Sequence, residues 1–176
     1  MSEHLWPLLR LKSESDAGLK EEYYKKYLET YVRNSDGEAI QIYDWNQNRI
    51  FFNSHFNSFE HAFTENKNYR YSYGVHSKEL CKNRARRMLW IKEVLKGEIG
   101  TIERRQEFRK DNRGRMKKRR TLVVLEERYV VVLEERDGRD GYDFVSAIPA
   151  DEPYLSRMRK TSTLLETKKS PSLNGD

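Results

Sequence analysis

The fold class is decided by residues 122–136, which read LVVLEERYVVVLEER. The hexapeptide VVLEER occurs twice, at 123–128 and at 131–136, and each copy begins with aliphatic residues that favour strands. A period of eight residues is too short for a solenoid repeat. A short connection between two strands favours antiparallel pairing. We therefore predict neighbouring strands at 122–125 and 129–133.

Two further strands are predicted on either side of this pair. Residues 101–108 alternate between polar and apolar side chains, as a half-buried strand does. Residues 142–148 form an apolar segment between a glycine-rich turn and Pro149. Because all the connections are short, the four segments predict one antiparallel meander.

Helical segments and a hairpin precede these strands. A helix is predicted at 19–33, where a stripe of tyrosines at spacings of three and four is expected to pack in the core. Residues 40–53 predict a hairpin, and a short helix follows at 58–63. A longer helix is predicted over 78–96, with Ser77 as its N-terminal cap.

The order of elements predicts an α+β fold: N-terminal helices and a hairpin followed by a four-stranded antiparallel sheet, with the helices on one face. The domain is expected to span residues 19–165. Residues 1–18 are expected to form a flexible lead-in and 166–176 a disordered tail. Residues 156–167 are at best amphipathic.

Composition indicates a single, highly charged domain. Of the 176 residues, 36% are hydrophobic and 35% are charged, against a typical charged share of about 25%. Cys81 is the only cysteine, which excludes an intramolecular disulfide, and we expect it to be buried in the 78–96 helix. No apolar run of membrane-spanning length and no secretion signal is present, so a cytoplasmic location is expected.

Positive charge is concentrated in residues 104–120, where ten lysines and arginines accompany only Glu107 and Asp111. Such a density attracts a polyanion by releasing its counterions. The alternative is a solvated, flexible loop. The side chains predicted to bind nucleic acid are Arg84, Arg115, Lys117, Lys118, Arg119 and Arg120.

His61 is the best candidate for proton transfer. It lies between Phe59 and Phe63 and is followed by a threonine and a glutamate that could orient it. A histidine changes charge near neutral pH, which suits the transfer of a proton from or to RNA. Cleavage by the RNA 2′-hydroxyl needs such a group and a cation for the phosphorane charge, and it needs no metal. The alternative is a core histidine that is satisfied by the backbone.

Other candidates for chemistry are weaker. His55 and His76 lie in polar, loop-like segments. Ser146 is an unexpected hydroxyl on an apolar strand, and residues 160–163 form a polar cluster that could bind phosphate. The alternatives are ordinary strand polarity and a helix cap. No metalloprotease, P-loop, dinucleotide or nucleophile-elbow motif occurs, so no metal and no cofactor is expected.

Five short motifs occur in this order along the chain: IFF at 50–52, FEHAF at 59–63, RARRMLWIK at 84–92, YVVV at 129–132 and YDFVSAIP at 142–149. Together they resemble phage and bacterial members of the barnase–EndoU–colicin–RelE-like nuclease superfamily. The resemblance covers residues 38–165.

The resemblance implies a metal-independent endoribonuclease, a toxin or phage effector that cuts transfer or messenger RNA. It implies helices followed by a four-stranded antiparallel sheet. His61 would match the histidine of the family, and Ser146 would match the hydroxyl residue of its last strand. Either Arg87 or Lys92 would match a basic site position, and Lys160 or Ser162 would match later polar residues. RNA is the expected partner, and a neutralising antitoxin or immunity protein is a further candidate.

Two other functions stay open. One is a non-catalytic RNA- or DNA-binding accessory protein that uses a basic sheet face, and the other is a protein-interaction or phage structural module. A nuclease is expected to gather His61, Ser146 and a basic side chain around one concave spot. A pure binder is expected to bury His61 and to spread its cations over a broad face.

Overall fold

The computed structural model describes residues 4–65, 79–111 and 113–170. Its helices are α1 (Asp16–Tyr31), α2 (Phe56–Phe63), α3 (Lys82–Ala85), α4 (Trp90–Lys96) and α5 (Glu152–Thr161). Its strands are β1 (Ile42–Tyr43), β2 (Arg49–Phe51), β3 (Thr64–Glu65), β4 (Glu79–Leu80), β5 (Thr101–Lys110), β6 (Met116–Val124), β7 (Tyr129–Glu135), β8 (Tyr142–Pro149) and β9 (Thr163–Lys169).

The main sheet has the strand order β1-β2-β8-β7-β6-β5-β9 in the described residues. The α+β class is confirmed, and the four predicted strands form the antiparallel centre of the sheet, β5 to β8. The prediction of a four-stranded sheet is wrong, because the N-terminal hairpin and a C-terminal strand extend it at both edges. β2 pairs in parallel with β8, and β9 pairs antiparallel with β5.

The basic segment at 104–120 is mostly strand and not a flexible loop. β5 extends to Lys110 and β6 begins at Met116, so only a tight turn separates them. The Asp111 carboxylate accepts hydrogen bonds from the backbone N–H groups of Arg113 (2.8 Å) and Arg115 (2.9 Å). This closed turn, together with acidic partners on β7, allows the charged residues to remain in a regular ladder.

The single helix predicted over 78–96 is wrong for the described part of that range. Glu79–Leu80 forms a strand that pairs with Thr64–Glu65, and Cys81 is half-buried at the start of α3. Between α3 and α4 the backbone makes hydrogen bonds three residues apart, which ends the α-helical ladder. Ser77 lies outside the described residues.

A large core lies between the helices and one face of the sheet. Tyr23, Tyr27 and Tyr31 of α1 are at most 2% exposed, so the predicted core role of the tyrosine stripe is confirmed. A buried hydroxyl is destabilising unless it makes a hydrogen bond. The hydroxyls of Tyr23, Tyr27 and Tyr31 donate to the backbone carbonyls of Leu9, Asn53 and Met88 respectively. On the other face, α5 packs on a smaller cluster.

Both ends of the described chain take part in the fold, contrary to the predicted lead-in and tail. Trp6 is 5% exposed, and the Trp90 indole N–H donates to the Pro7 carbonyl at 2.9 Å. The segment read as amphipathic ends in β9, which reaches Lys169. Residues 171–176 lie outside the described chain. Within the described ranges, no helix is both long and apolar enough to cross a membrane.

The buried tyrosines predict a loss of stability in alkali. Burial raises the pKa of Tyr27, Tyr31 and Tyr129, so the neutral phenol is favoured in the folded state. Stability is therefore complete below the unfolded pKa of about 10 and falls as pH rises above it, by about 1.4 kcal/mol per pH unit for each tyrosine.

Urea unfolding at about pH 8 and about pH 10.5 checks this expectation. The unfolding midpoint should fall, and Tyr27→Phe should make the fall smaller. An unchanged midpoint would show that burial does not raise the pKa of these phenols.

Candidate functional site

Strand register divides the sheet side chains between two faces. Residues directly opposite one another on neighbouring strands point to the same side. Val123, Val130 and Val132 pack against Leu155 and Met158 of α5, so their side is the α5-side face. The register places Ser146 beside Val132 on this face.

The next row of the α5-side face is polar and crosses five strands. Its members are Phe51, Asp143, Glu134, Arg119 and Glu107. We call this row and the one beyond it, towards the β5–β6 turn, the open face. Leu155 and Met158 of α5 pack on the valine rows instead, and the charges of Glu107, Arg109 and Arg119 on the open face act on Tyr154 of the same helix.

Ser146 lies where the outer edge of β8 has no neighbouring strand in the described chain. The pairing of β2 with β8 ends at Phe51 and Asp143. The helices α2 and α3 both contact β8. Ser146 is half-buried, so the unexpected hydroxyl reaches the α5-side face near this edge.

His61 is exposed on α2, while Phe59 and Phe63 on the same helix are fully buried. The side chain borders a cavity of about 300 Å³, which is lined by Tyr27, Asn57, Ser58, His61, Phe144 and Val145. Val145 directly precedes Ser146 in β8. The alternative interpretation, that His61 is a buried core residue satisfied by the backbone, does not fit an exposed side chain. Neither Ser146 nor a basic side chain lines the cavity itself, so the structure does not gather His61, Ser146 and a cation around this one concave spot as predicted for a nuclease.

Arg84 of α3 approaches the same edge. Its guanidinium donates to the carbonyl of Thr64, the residue that follows α2, at 3.3 Å. Its charge also reaches Tyr154 of α5. Burial raises the pKa of Tyr154, the charge of Glu107 adds to the rise, and the charges of Arg109, Arg119 and Arg84 act against it. Tyr154 therefore carries its proton at neutral pH, beside cations from three elements.

Arg87 and Lys92, which were also predicted to belong to the site, make contacts with other residues on the helix side of the sheet. The Arg87 guanidinium donates to the Asn83 carbonyl at 2.8 Å and lies 5.0 Å from the ring centroid of Trp90. The backbone N–H of Lys92 donates to the Tyr31 hydroxyl at 3.2 Å. The structure does not bring either residue to the cavity of His61.

The polar cluster at the end of α5 is also separate from His61. Lys160 is exposed. The Ser162 hydroxyl accepts from Arg105 Nε at 2.9 Å and donates to the Met158 carbonyl at 2.6 Å. Arg105 is 8% exposed and also pairs with Glu103, so Ser162 fixes a buried arginine at the helix end.

The cations predicted to form one basic patch are divided between the two faces. Lys117 and Arg119 lie on the α5-side face, whereas Lys118 and Arg120 point to the helix side. Lys117 pairs with Asp137 at 2.6 Å, Arg119 with Glu134 at 3.2 Å and Lys118 with Glu135 at 3.8 Å. Arg120 donates to Gln106 and lies over the Tyr142 ring. Arg115 is exposed at the turn.

Sequence reasoning missed Glu107 and Tyr154. Glu107 is 6% exposed and pairs with Arg109 at 3.1 Å. A usable signal was present, because charged residues recur at every second position from Glu103 to Arg109 and must share one face of a strand. Tyr154 carried no comparable signal, since its position depends on where α5 crosses the sheet.

No protein-family model, curated protein or solved structure matches this chain. In the described ranges there is no group of three or more histidine, cysteine, aspartate or glutamate side chains placed to hold a metal ion.

Proposed function

We propose that this protein is an endoribonuclease that needs no metal and cuts RNA through attack by the 2′-hydroxyl, with His61 as the proton carrier. The observation that carries the proposal is the position of His61. It is an exposed histidine on the wall of a cavity that Phe144 and Val145 of β8 also line. A proton carrier must be reachable by substrate, and a core histidine is not.

The neighbouring side chains supply the other requirements of the reaction. Arg84 provides a permanent positive charge for the phosphorane. The Ser146 hydroxyl can donate to a phosphate oxygen, and the neutral Tyr154 hydroxyl is a second proton donor on the α5 side. His61 and Arg84 belong to α2 and α3, which both contact β8, the strand of Ser146. We call these three residues the β8-edge site.

The accessory-binder alternative has less support. It requires a buried His61 and a broad basic face, but His61 is exposed and the cations at 117–120 are split between two faces. The toxin or phage-effector role, the cytoplasmic location and the antitoxin stay predictions.

Incubation of the full chain with total RNA, with and without EDTA, tests the proposal. We expect RNA fragments to accumulate at the same rate in both conditions, because the proposed proton transfer and charge stabilisation use side chains only. Activity that chelation abolishes and Mg²⁺ restores would contradict this mechanism.

A further inference from the structure

A row of cations crosses the open face at its far end. Its members, from β2 to β5, are Arg49, Arg136, Lys117 and Arg109. Arg109 and Lys117 are directly paired in register. Arg49 precedes Ile50, which is buried in the helix-side core, so Arg49 points to the opposite side. Arg136 follows β7 and reaches the same side, where it pairs with Asp143 at 3.5 Å.

Aromatic rings lie at the β2 end of this row. The guanidinium carbons of Arg136 and Arg49 are 3.8 Å and 4.8 Å from the ring centroid of Phe51. Arg49 also lies 5.9 Å from the ring centroid of Tyr43, which is 45% exposed. An exposed ring beside arginines offers a platform on which an unpaired base can stack.

The acidic partners of Lys117 and Arg136 are exposed, whereas Glu107, the partner of Arg109, is buried and Arg109 itself is exposed. Asp137 and Asp143 have side chains that are 68% and 55% accessible to solvent. Ion pairs with a solvent-exposed carboxylate contribute little to stability, so phosphates can take the place of Asp137 and Asp143. Arg49 forms no ion pair with any residue of the described chain, and its Nε is buried without a hydrogen-bond partner there.

We propose that a single RNA strand lies across the open face, with its phosphates along Arg109, Lys117, Arg136 and Arg49 and with a base stacked on Tyr43. From β5 to β2 the row spans four strand spacings, about 19 Å. Positive charge and an exposed ring on a sheet face fit a polyanion whose bases are unpaired, whereas duplex RNA keeps its base faces stacked. This inference rests on the proposed function, and it names the form of RNA that reaches the β8-edge site.

Equilibrium binding of a fluorescent oligouridylate tests the proposal, in EDTA and in the His61→Ala background so that the probe stays intact. Lys117→Ser and Lys118→Ser form a matched pair, since these adjacent residues of β6 point to opposite faces and both carry acidic partners. Lys117→Ser should weaken binding and lower the slope of log affinity against log salt by about 0.7. Lys118→Ser should leave both unchanged.

Tyr43→Ala is the second variant, with an expected loss of about 5- to 100-fold in affinity if a base stacks on the ring. Circular dichroism confirms that the variant is folded. A duplex of the same length should bind more weakly than the single strand. Equal effects of the two lysine variants, or wild-type affinity of Tyr43→Ala, would overturn the proposal.

Cleavage of a dinucleotide separates this inference from the proposed function, because a dinucleotide has one internucleotide phosphate and cannot span the cation row of about 19 Å. Wild-type protein and Lys118→Ser should cut the dinucleotide at the same rate. Tyr43→Ala and Lys117→Ser, each with His61 intact, should cut a long single strand more slowly than wild type at low concentration. If wild-type protein cuts no RNA but the binding losses occur, the binding surface stands and the proposed chemistry fails.

Discussion

Replacing His61 by alanine is expected to slow RNA cleavage by about 10²- to 10⁴-fold, the usual contribution of one general acid–base group. The variant should fold normally and still bind RNA, because Phe59 and Phe63 hold α2 in the core and His61 itself is exposed. Single-turnover cleavage of a labelled RNA in EDTA measures the effect, with circular dichroism as the folding check.

His55→Ala is the matched control. His55 is an exposed histidine at the start of the same helix, and its side chain makes no capping hydrogen bond. Its replacement should leave the cleavage rate near that of wild type. If the two variants cleave equally fast, His61 is not the proton carrier. If His61→Ala unfolds, its role is structural.

Trp90→Ala is expected to lower the free energy of unfolding by about 3–5 kcal/mol. Trp90 is fully buried and packs edge-on against both Trp6 (5.7 Å between ring centroids) and Tyr129 (5.3 Å). Its indole N–H also holds the N-terminal segment through the Pro7 carbonyl. The variant therefore loses core packing and the attachment of residues 4–11 together.

Urea unfolding of Trp90→Ala and Phe108→Ala gives the comparison. Phe108 is 56% exposed, so removal of its ring should change stability by about 0.5 kcal/mol or less. Limited proteolysis of Trp90→Ala should cut first near the N-terminus. Similar stability of the two variants would show that the N-terminal segment does not belong to the core.

The central strands were predictable because their signal is local. Residues 122–133 are rich in valine and leucine, and their connections are too short for anything but antiparallel neighbours. The tyrosine stripe of α1 was predictable for the same reason, since spacings of three and four residues place side chains on one helix face.

The edges of the sheet were not predictable from local pattern. The parallel pairing of β2 with β8 joins residues about ninety positions apart, and no short-range signal specifies it. β9 contains seven residues of which most are exposed, so it lacks the apolar alternation of a half-buried strand. β2 and β9 form because each edge of the central sheet has backbone N–H and C=O groups that need a hydrogen-bond partner.

The basic segment at 104–120 was wrongly predicted to be one patch or a flexible loop, because its charges were counted along the chain without the acidic residues on the neighbouring strand. Lys117, Arg119 and Lys118 each find an acid on β7 or just after it. The complementary run at 134–137 was visible in the sequence, but its register against 117–120 was not. For the candidate site, sequence singled out His61, Arg84 and Ser146, whereas Tyr154 depended on the path of α5.

The chemistry of the product ends tests the central claim most directly. Wild-type protein is incubated in EDTA with a defined single-stranded RNA and with the 2′-O-methylated strand of the same sequence, and the fragments are identified by mass spectrometry. The account predicts cleavage of the RNA alone, with 2′,3′-cyclic phosphate ends, because the 2′-hydroxyl is the attacking group. Cleavage of the methylated strand, or fragments that carry 5′-phosphate and 3′-hydroxyl ends, would contradict it.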